Sequence, residues 1–201
     1  MLKSLTHILI IFVTVICFFS INPIAHAKTF SGRVIDADTQ EPIEGAVVVV
    51  YWHEARRTSI GDLSTRLKDV KETLTDKNGE WSVAGSAGGE NTISSYLSLI
   101  TGMYYTMEPQ FIIFKPRYCS WPKGFSIPAC YEKMKPEGSG TIREGETIEL
   151  RKLKVERDRR INIPAIVTGQ DSAEKQKELI SLINEERRNL GLPETYRVRS
   201  E

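Results

Sequence analysis

Residues 46–52 read AVVVVYW, apolar at every position and built almost wholly from β-branched and aromatic side chains. Such side chains crowd a helix and suit a pleated strand. A half-buried strand alternates apolar with polar residues, and this run does not alternate. It predicts a central strand, buried on one side and covered on the other. Gly45 bounds it at the start. A chain containing this strand must therefore supply two further layers.

Other strands are legible around it. Residues 29–35 (TFSGRVI) precede a polar stretch, DADTQEPIEG. Residues 70–74 and 80–84 flank Asp76-Lys77-Asn78-Gly79, a hairpin signal in which Gly79 takes the left-handed conformation of a short loop. Residues 110–114 (QFIIF) end at Lys115-Pro116, and in residues 147–153 (TIELRKL) Ile148 and Leu150 alternate with charged neighbours. Short strands with turn signals and no long helix between them predict an all-β sandwich of about seven strands over residues 28–153. Val47, Val49, Ile113 and Ile148 are its expected core. Residues 94–105 (SSYLSLITGMYY) read as an irregular, partly helical excursion. Residues 154–201 form a charged linker with Pro164, then an amphipathic helix over 172–190. Asp171 or Ser172 is its expected cap, with Glu174 completing a capping box. Leu179, Ile180, Ile183 and Leu190 make a stripe suited to packing back on the sandwich, and Gly191 and Pro193 end the helix.

The N-terminus predicts export. The apolar run Ile8–Ile21 falls short of the roughly 20 residues of a spanning helix, and Ala25-His26-Ala27 offers a small-x-small cleavage site. Residues 1–27 are thus expected to be a signal peptide, with a periplasmic or extracellular mature protein and no membrane association after cleavage. An uncleaved anchor is the alternative. Cleavage removes His7, His26 and Cys17, leaving His53, Cys119 and Cys130. In an oxidising compartment the last two are expected to form a disulfide closing CSWPKGFSIPAC. Lys and Arg number 27 against 26 Asp and Glu, so no overall basic field exists to hold nucleic acid.

The segment SGRVIDADTQEPIEGAVVVV, followed by TDKNGEWSV, resembles the carboxypeptidase regulatory-like domains, which are seven-stranded transthyretin-like (prealbumin-like) sandwiches related in fold to starch-binding-type modules. The resemblance rests on Gly32 and Val34; Pro42, Ile43, Gly45 and Ala46; the valines 47–50; and Thr75, Asp76, Gly79 and Trp81. Farther on, EPQFIIFKPRYCSWP looks like a stretch of exported bacterial members, with Arg117 where Gly is usual. The resemblance covers about residues 29–151. It implies an accessory architecture, and fold alone does not set function.

The chemistry available is narrow. A zinc peptidase site needs two His and a carboxylate, and His53 alone does not supply it. A terminal ETYRVRS is faintly similar to the Tyr-Arg-Gly-Ser end of the transthyretin-like hydrolases of purine breakdown, but that chemistry uses more than one His and Val198 and Arg199 break the pattern. No Gly-x-Ser-x-Gly elbow accompanies His53, which reads as a solvated strand-end residue. Asp36 and Asp38, or Asp76, Asn78 and Glu80, suggest calcium but are more simply turn formers. No cofactor is implied. Trp81 is expected in the core, whereas Trp121, in the disulfide loop, is the candidate ligand contact. The expected function is an exported, non-catalytic binding or structural module of the cell envelope, recognising a protein or glycan. An unrecognised hydrolase using His53 with nearby carboxylates is the alternative.

Overall fold

The valine-rich run lies in the central strand of a four-stranded sheet. In a computed structural model, which describes residues 28–57, 62–86, 98, 100–122, 127–130 and 142–196, strand β2 (Val47–Arg57) pairs on one side with β3 (Leu63–Leu74). On its other side lie β6 (Gln110–Phe114) and, farther along, the two-residue β5 (Tyr105–Thr106). The second sheet has three strands in the order β4 (Glu80–Ala84), β1 (Thr29–Asp36), β7 (Glu146–Leu150), with β1 antiparallel to β4 and parallel to β7. Residues 1–27, expected to be a signal peptide, lie outside the described residues, as do positions 94–97 and 99 of the expected excursion. Ser98, Ile100 and Thr101 are helical, consistent with its partly helical reading.

Strand alternation divides the apolar residues between two cores. Val48, Val50 and Trp52 point toward the three-stranded sheet and meet Phe30, Val34, Trp81, Val83, Ile148 and Leu150. Phe111 and Ile113, paired directly with Val50 and Val48, share that face. Phe30, Trp52, Trp81 and Phe111 form an aromatic cluster with centroids 5.7–6.1 Å apart. Val47 and Val49 point the other way. Both are fully buried, but beneath the C-terminal segment rather than in the inter-sheet core, with Val70, Phe114, Val167, Leu179 and Ile183. The sequence expectation for these two valines is corrected in that respect.

Two helices hold this outer cover. The stretch read as a charged linker contains α1 (Glu156–Asn162), and the amphipathic helix is α2 (Lys177–Asn189), entered through a 3-10 turn, Glu174–Gln176. The expected local capping box does not form: Asp171 has φ +54°, and Ser172 Oγ donates to the Gly169 carbonyl at 3.0 Å. The cap comes from another layer. Glu72 on β3 accepts the amide N–H groups of Glu178 and Leu179 at 2.7 and 3.0 Å, placing a carboxylate at the positive end of the helix. An acceptor more than a hundred residues away is invisible to a local reading of the sequence.

A buried ion pair fixes the two helices to each other. Arg159 on α1 donates through Nε and one terminal nitrogen to both oxygens of Glu186 on α2, each at 2.8 Å, and Glu186 is 1% exposed. The Arg117 amide donates to the same carboxylate at 3.3 Å, from a residue with φ +70°. This is the position where the resembled family has Gly, and the left-handed backbone costs about 1–2 kcal/mol for a non-glycine residue. Gln176, fully buried, donates to the carbonyls of Val167 and Ser172 and accepts the Val167 amide, so its polar atoms are satisfied.

Removing one member of a buried pair leaves a desolvated charge behind. Glu186→Ala is expected to lower the free energy of unfolding by about 3–5 kcal/mol. Arg159→Met with Glu186→Leu is expected to recover most of that loss. Urea denaturation of the three proteins checks both.

Candidate functional site

Helix α2 and the segment before it cover the outer face of the four-stranded sheet, and the outer face of the three-stranded sheet carries a depression of about 590 Å³. The same alternation that sends Phe30, Val34, Trp81, Val83 and Ile148 inward sends Ser31, Arg33, Glu80, Ser82 and Thr147 outward. Strand register arranges these in two rows: Ser82 beside Ser31, and Glu80, Arg33 and Thr147 abreast across three strands. Adjacent positions in a row are about 4.8 Å apart. The side chains of Ser31, Ser82, Thr147 and Glu80 make no hydrogen bond or ion pair with another described residue. Arg33 commits its Nε to the Asn78 carbonyl at 2.8 Å. Asp76, at the rim, uses Oδ1 to accept the amides of Asn78 and Glu80 at 2.8 and 2.9 Å.

Trp81 also lines the depression, and it is buried as expected, 4% exposed. Its indole N–H is the buried side-chain polar atom left without a partner among the described residues. A glycine opposite makes room for the ring: a Cβ on Gly32 would lie 2.9 Å from the indole and 2.6 Å from the Glu146 carbonyl oxygen. Sequence reasoning placed Trp81 correctly but overlooked this face. The signal was present in the polar alternation of SGR, EWS and TIE.

Cys119 and Cys130 are joined, with Cα atoms 5.8 Å apart. Both are buried with Ile127 and Leu153, so the bridge fastens its loop to the end of β7, where the Cys119 amide donates to the Arg151 carbonyl at 2.8 Å. Residues 123–126 of the loop lie outside the described residues. Trp121 is not an exposed contact: it is 6% exposed and belongs to the inter-sheet core. Its backbone pairs with Ile113 through two 2.8 Å hydrogen bonds, and directly opposed antiparallel residues share a face. Since Ile113 faces the core, so does Trp121.

At the same end, Asp36 accepts the amides of Asp38 and Thr39 at 2.8 and 3.1 Å and the Tyr118 hydroxyl at 3.1 Å. Burial pulls its carboxyl upward, but these hydrogen bonds and the charge of Lys152 outweigh that and hold it below its ordinary value. Burial, with Asp36 opposite, pushes the Tyr118 hydroxyl up. Asn162 of α1 joins the cluster, accepting the Ser120 amide at 2.8 Å and donating to the Tyr118 carbonyl at 2.6 Å. Of the acidic groups considered for calcium, Asp36 and Asp76 are engaged in turns, and no group of three metal-ligating side chains occurs among the described residues.

His53 lies within β2 rather than at its end, at a register shift between Trp52 and His53. Its ring meets Tyr51 edge to face at 5.6 Å, and no carboxylate pairs with it among the described residues. No protein-family model matches the chain, and no curated protein matches it in sequence.

Two outcomes are expected here. Trp121→Ala should destabilise the protein by about 3–5 kcal/mol, as for other core aromatic truncations, by thermal or urea melts. Asp36 has a folded pKa below its unfolded value of about 3.9, so its stabilisation is present above that value and is lost as pH falls through the folded one. Asp36→Asn should therefore be less stable at neutral pH and show a shallower loss of stability below about pH 4.

Proposed function

We propose that this chain is an exported, non-catalytic binding module of the cell envelope, a transthyretin-like sandwich that recognises a protein or glycan through the open face of its three-stranded sheet. The observation that carries this reading is the asymmetry between the two outer faces. One is covered by α2 and the segment before it, held by satisfied polar anchors. The other carries a depression lined by serine, threonine and glutamate side chains that make no hydrogen bond or ion pair with another described residue, beside Arg33, whose Nε alone is committed, to the Asn78 carbonyl. Loosely committed polar groups gathered in a concavity suit recognition, whereas groups spent on intramolecular bonds suit architecture. Export draws support from the N-terminal sequence pattern and the disulfide, a bond that persists in oxidising compartments. Among the described residues no helix is long and apolar enough to cross a membrane.

Full-length protein carrying a C-terminal tag, expressed in a Gram-negative host, should be released by osmotic shock and begin at Lys28 by intact mass. It should also capture a glycan or protein from envelope extracts, with Arg33→Glu abolishing capture. Retention of Met1 in a cytosolic product would overturn export. Capture that is indifferent to Arg33→Glu would overturn the assignment of the face.

A further inference from the structure

The far end of the four-stranded sheet combines exposed apolar side chains with an excess of cations. Over residues 54–68 the chain carries Arg56, Arg57, Arg66 and Lys68 against Glu54 and Asp62, in a protein of net charge +1. Strand pairing sets Leu63 beside Arg57, the last residue of β2, and Tyr105 beside Ala55. Continuing the second register by two residues brings Met103 to the other side of Arg57. A helical turn precedes Met103, closed by the Gly102 amide on the Ser98 carbonyl at 2.9 Å. Ser98 is fully buried, whereas Ile100 in the same turn faces out. Leu63, Ile100 and Met103 are 52%, 85% and 67% exposed, so three large apolar side chains gather at one end with little of their surface covered.

An aromatic ring lies beside them, between two guanidinium groups. The Tyr104 centroid is 4.1 Å from Arg66 Cζ and 5.1 Å from Arg56 Cζ. Glu54 neutralises one of these charges by pairing with Arg66. Lys68 Nζ donates to Thr106 Oγ1 at 2.7 Å, which holds a further cation at the same end. Apolar side chains at the extremity, a tyrosine next to them and arginines around it match the layers of a bilayer surface: acyl chains, interface and charged headgroups.

We infer that this end of the sheet docks on an anionic lipid bilayer, with Leu63, Ile100 and Met103 entering the interface and Arg56 and Arg66 meeting lipid phosphates. Such docking is peripheral, and its strength comes from buried apolar area added to attraction for anionic headgroups. It departs from the expectation of no membrane association after cleavage. None of these residues lines the depression on the three-stranded sheet, so the inference stands apart from the binding-module reading.

The test titrates the purified full-length gene product, whichever N-terminus it carries, with vesicles of phosphatidylcholine alone or mixed equally with phosphatidylglycerol. Met103→Trp supplies a local reporter, because Trp52, Trp81 and Trp121 are all buried. The introduced indole should shift to the blue and be quenched by brominated lipid in the anionic vesicles, far less in the neutral ones, and raised salt should weaken the response. In that background, Arg56→Glu and Ile100→Ser, both at exposed positions, should keep the parent melting temperature and each raise the lipid concentration for half-maximal quenching about tenfold. Arg33→Glu should leave the response unchanged. An indole that ignores both vesicles would overturn docking. A response equal on neutral lipid, or indifferent to both tip substitutions, would overturn it as well. Capture of an envelope protein that depends on Arg56 and Ile100, with the indole unmoved by lipid, would assign this surface to a protein partner instead.

Discussion

Strand β2 has no polar face, and most of the architecture answers that constraint. Val47 to Val50 are all fully buried, which requires apolar layers on both sides of one sheet. Each such side chain contributes about 1.5–3 kcal/mol when removed from water. The three-stranded sheet provides one layer. The other comes from residues more than a hundred positions downstream, in α2 and the segment before it. A sandwich of two sheets alone would leave Val47, Val49 and Phe114 in solvent.

The cover is fastened by polar contacts as well as by apolar area. Glu72 reaches from β3 to the start of α2, Lys175 pairs with Asp69 at 2.8 Å, and Glu186 anchors Arg159. The Asn184 side chain donates to the Tyr196 carbonyl at 2.7 Å, and Tyr196 packs on the outer core. Burying ions is costly, and such pairs do little for net stability compared with apolar replacements. Their geometry instead restricts where the helices can settle on a sheet that would accept an apolar stripe in many orientations.

The parts of this fold legible in sequence are those in which neighbours decide the outcome. The alternation of residues 29–36 and 147–150, the Asp76–Gly79 turn and the unbroken β2 run all carry local signals, and the structure contains those elements. What escaped reading depends on contacts distant in sequence. Residues 156–162 are polar and look like a linker; as α1 they are held by Asn162 against Ser120 and by Arg159 against Glu186. The early half of β3 lacks a strong apolar pattern and is specified by pairing with the far end of β2. Trp121 sits among prolines and a glycine, and only its bridge to Ile113 reveals which way its side chain points. The open polar face was hidden for the opposite reason, since Ser, Arg and Thr on a strand exterior look like ordinary solvated positions.

The cap of α2 by a β3 carboxylate has a temporal meaning. That helix finds the partner for its first amides only once the four-stranded sheet exists, and the sheet's outer apolar surface is protected only once the helix arrives. The two depend on each other, yet a chain emerging from its N-terminus presents the strands first. Until residues 163–196 follow, Val47, Val49 and Phe114 face water, and exposed apolar surface of this kind favours self-association. The tail therefore acts as the final step that makes the sheet safe, and a chain cut short before residue 177 should aggregate rather than persist as a smaller sandwich.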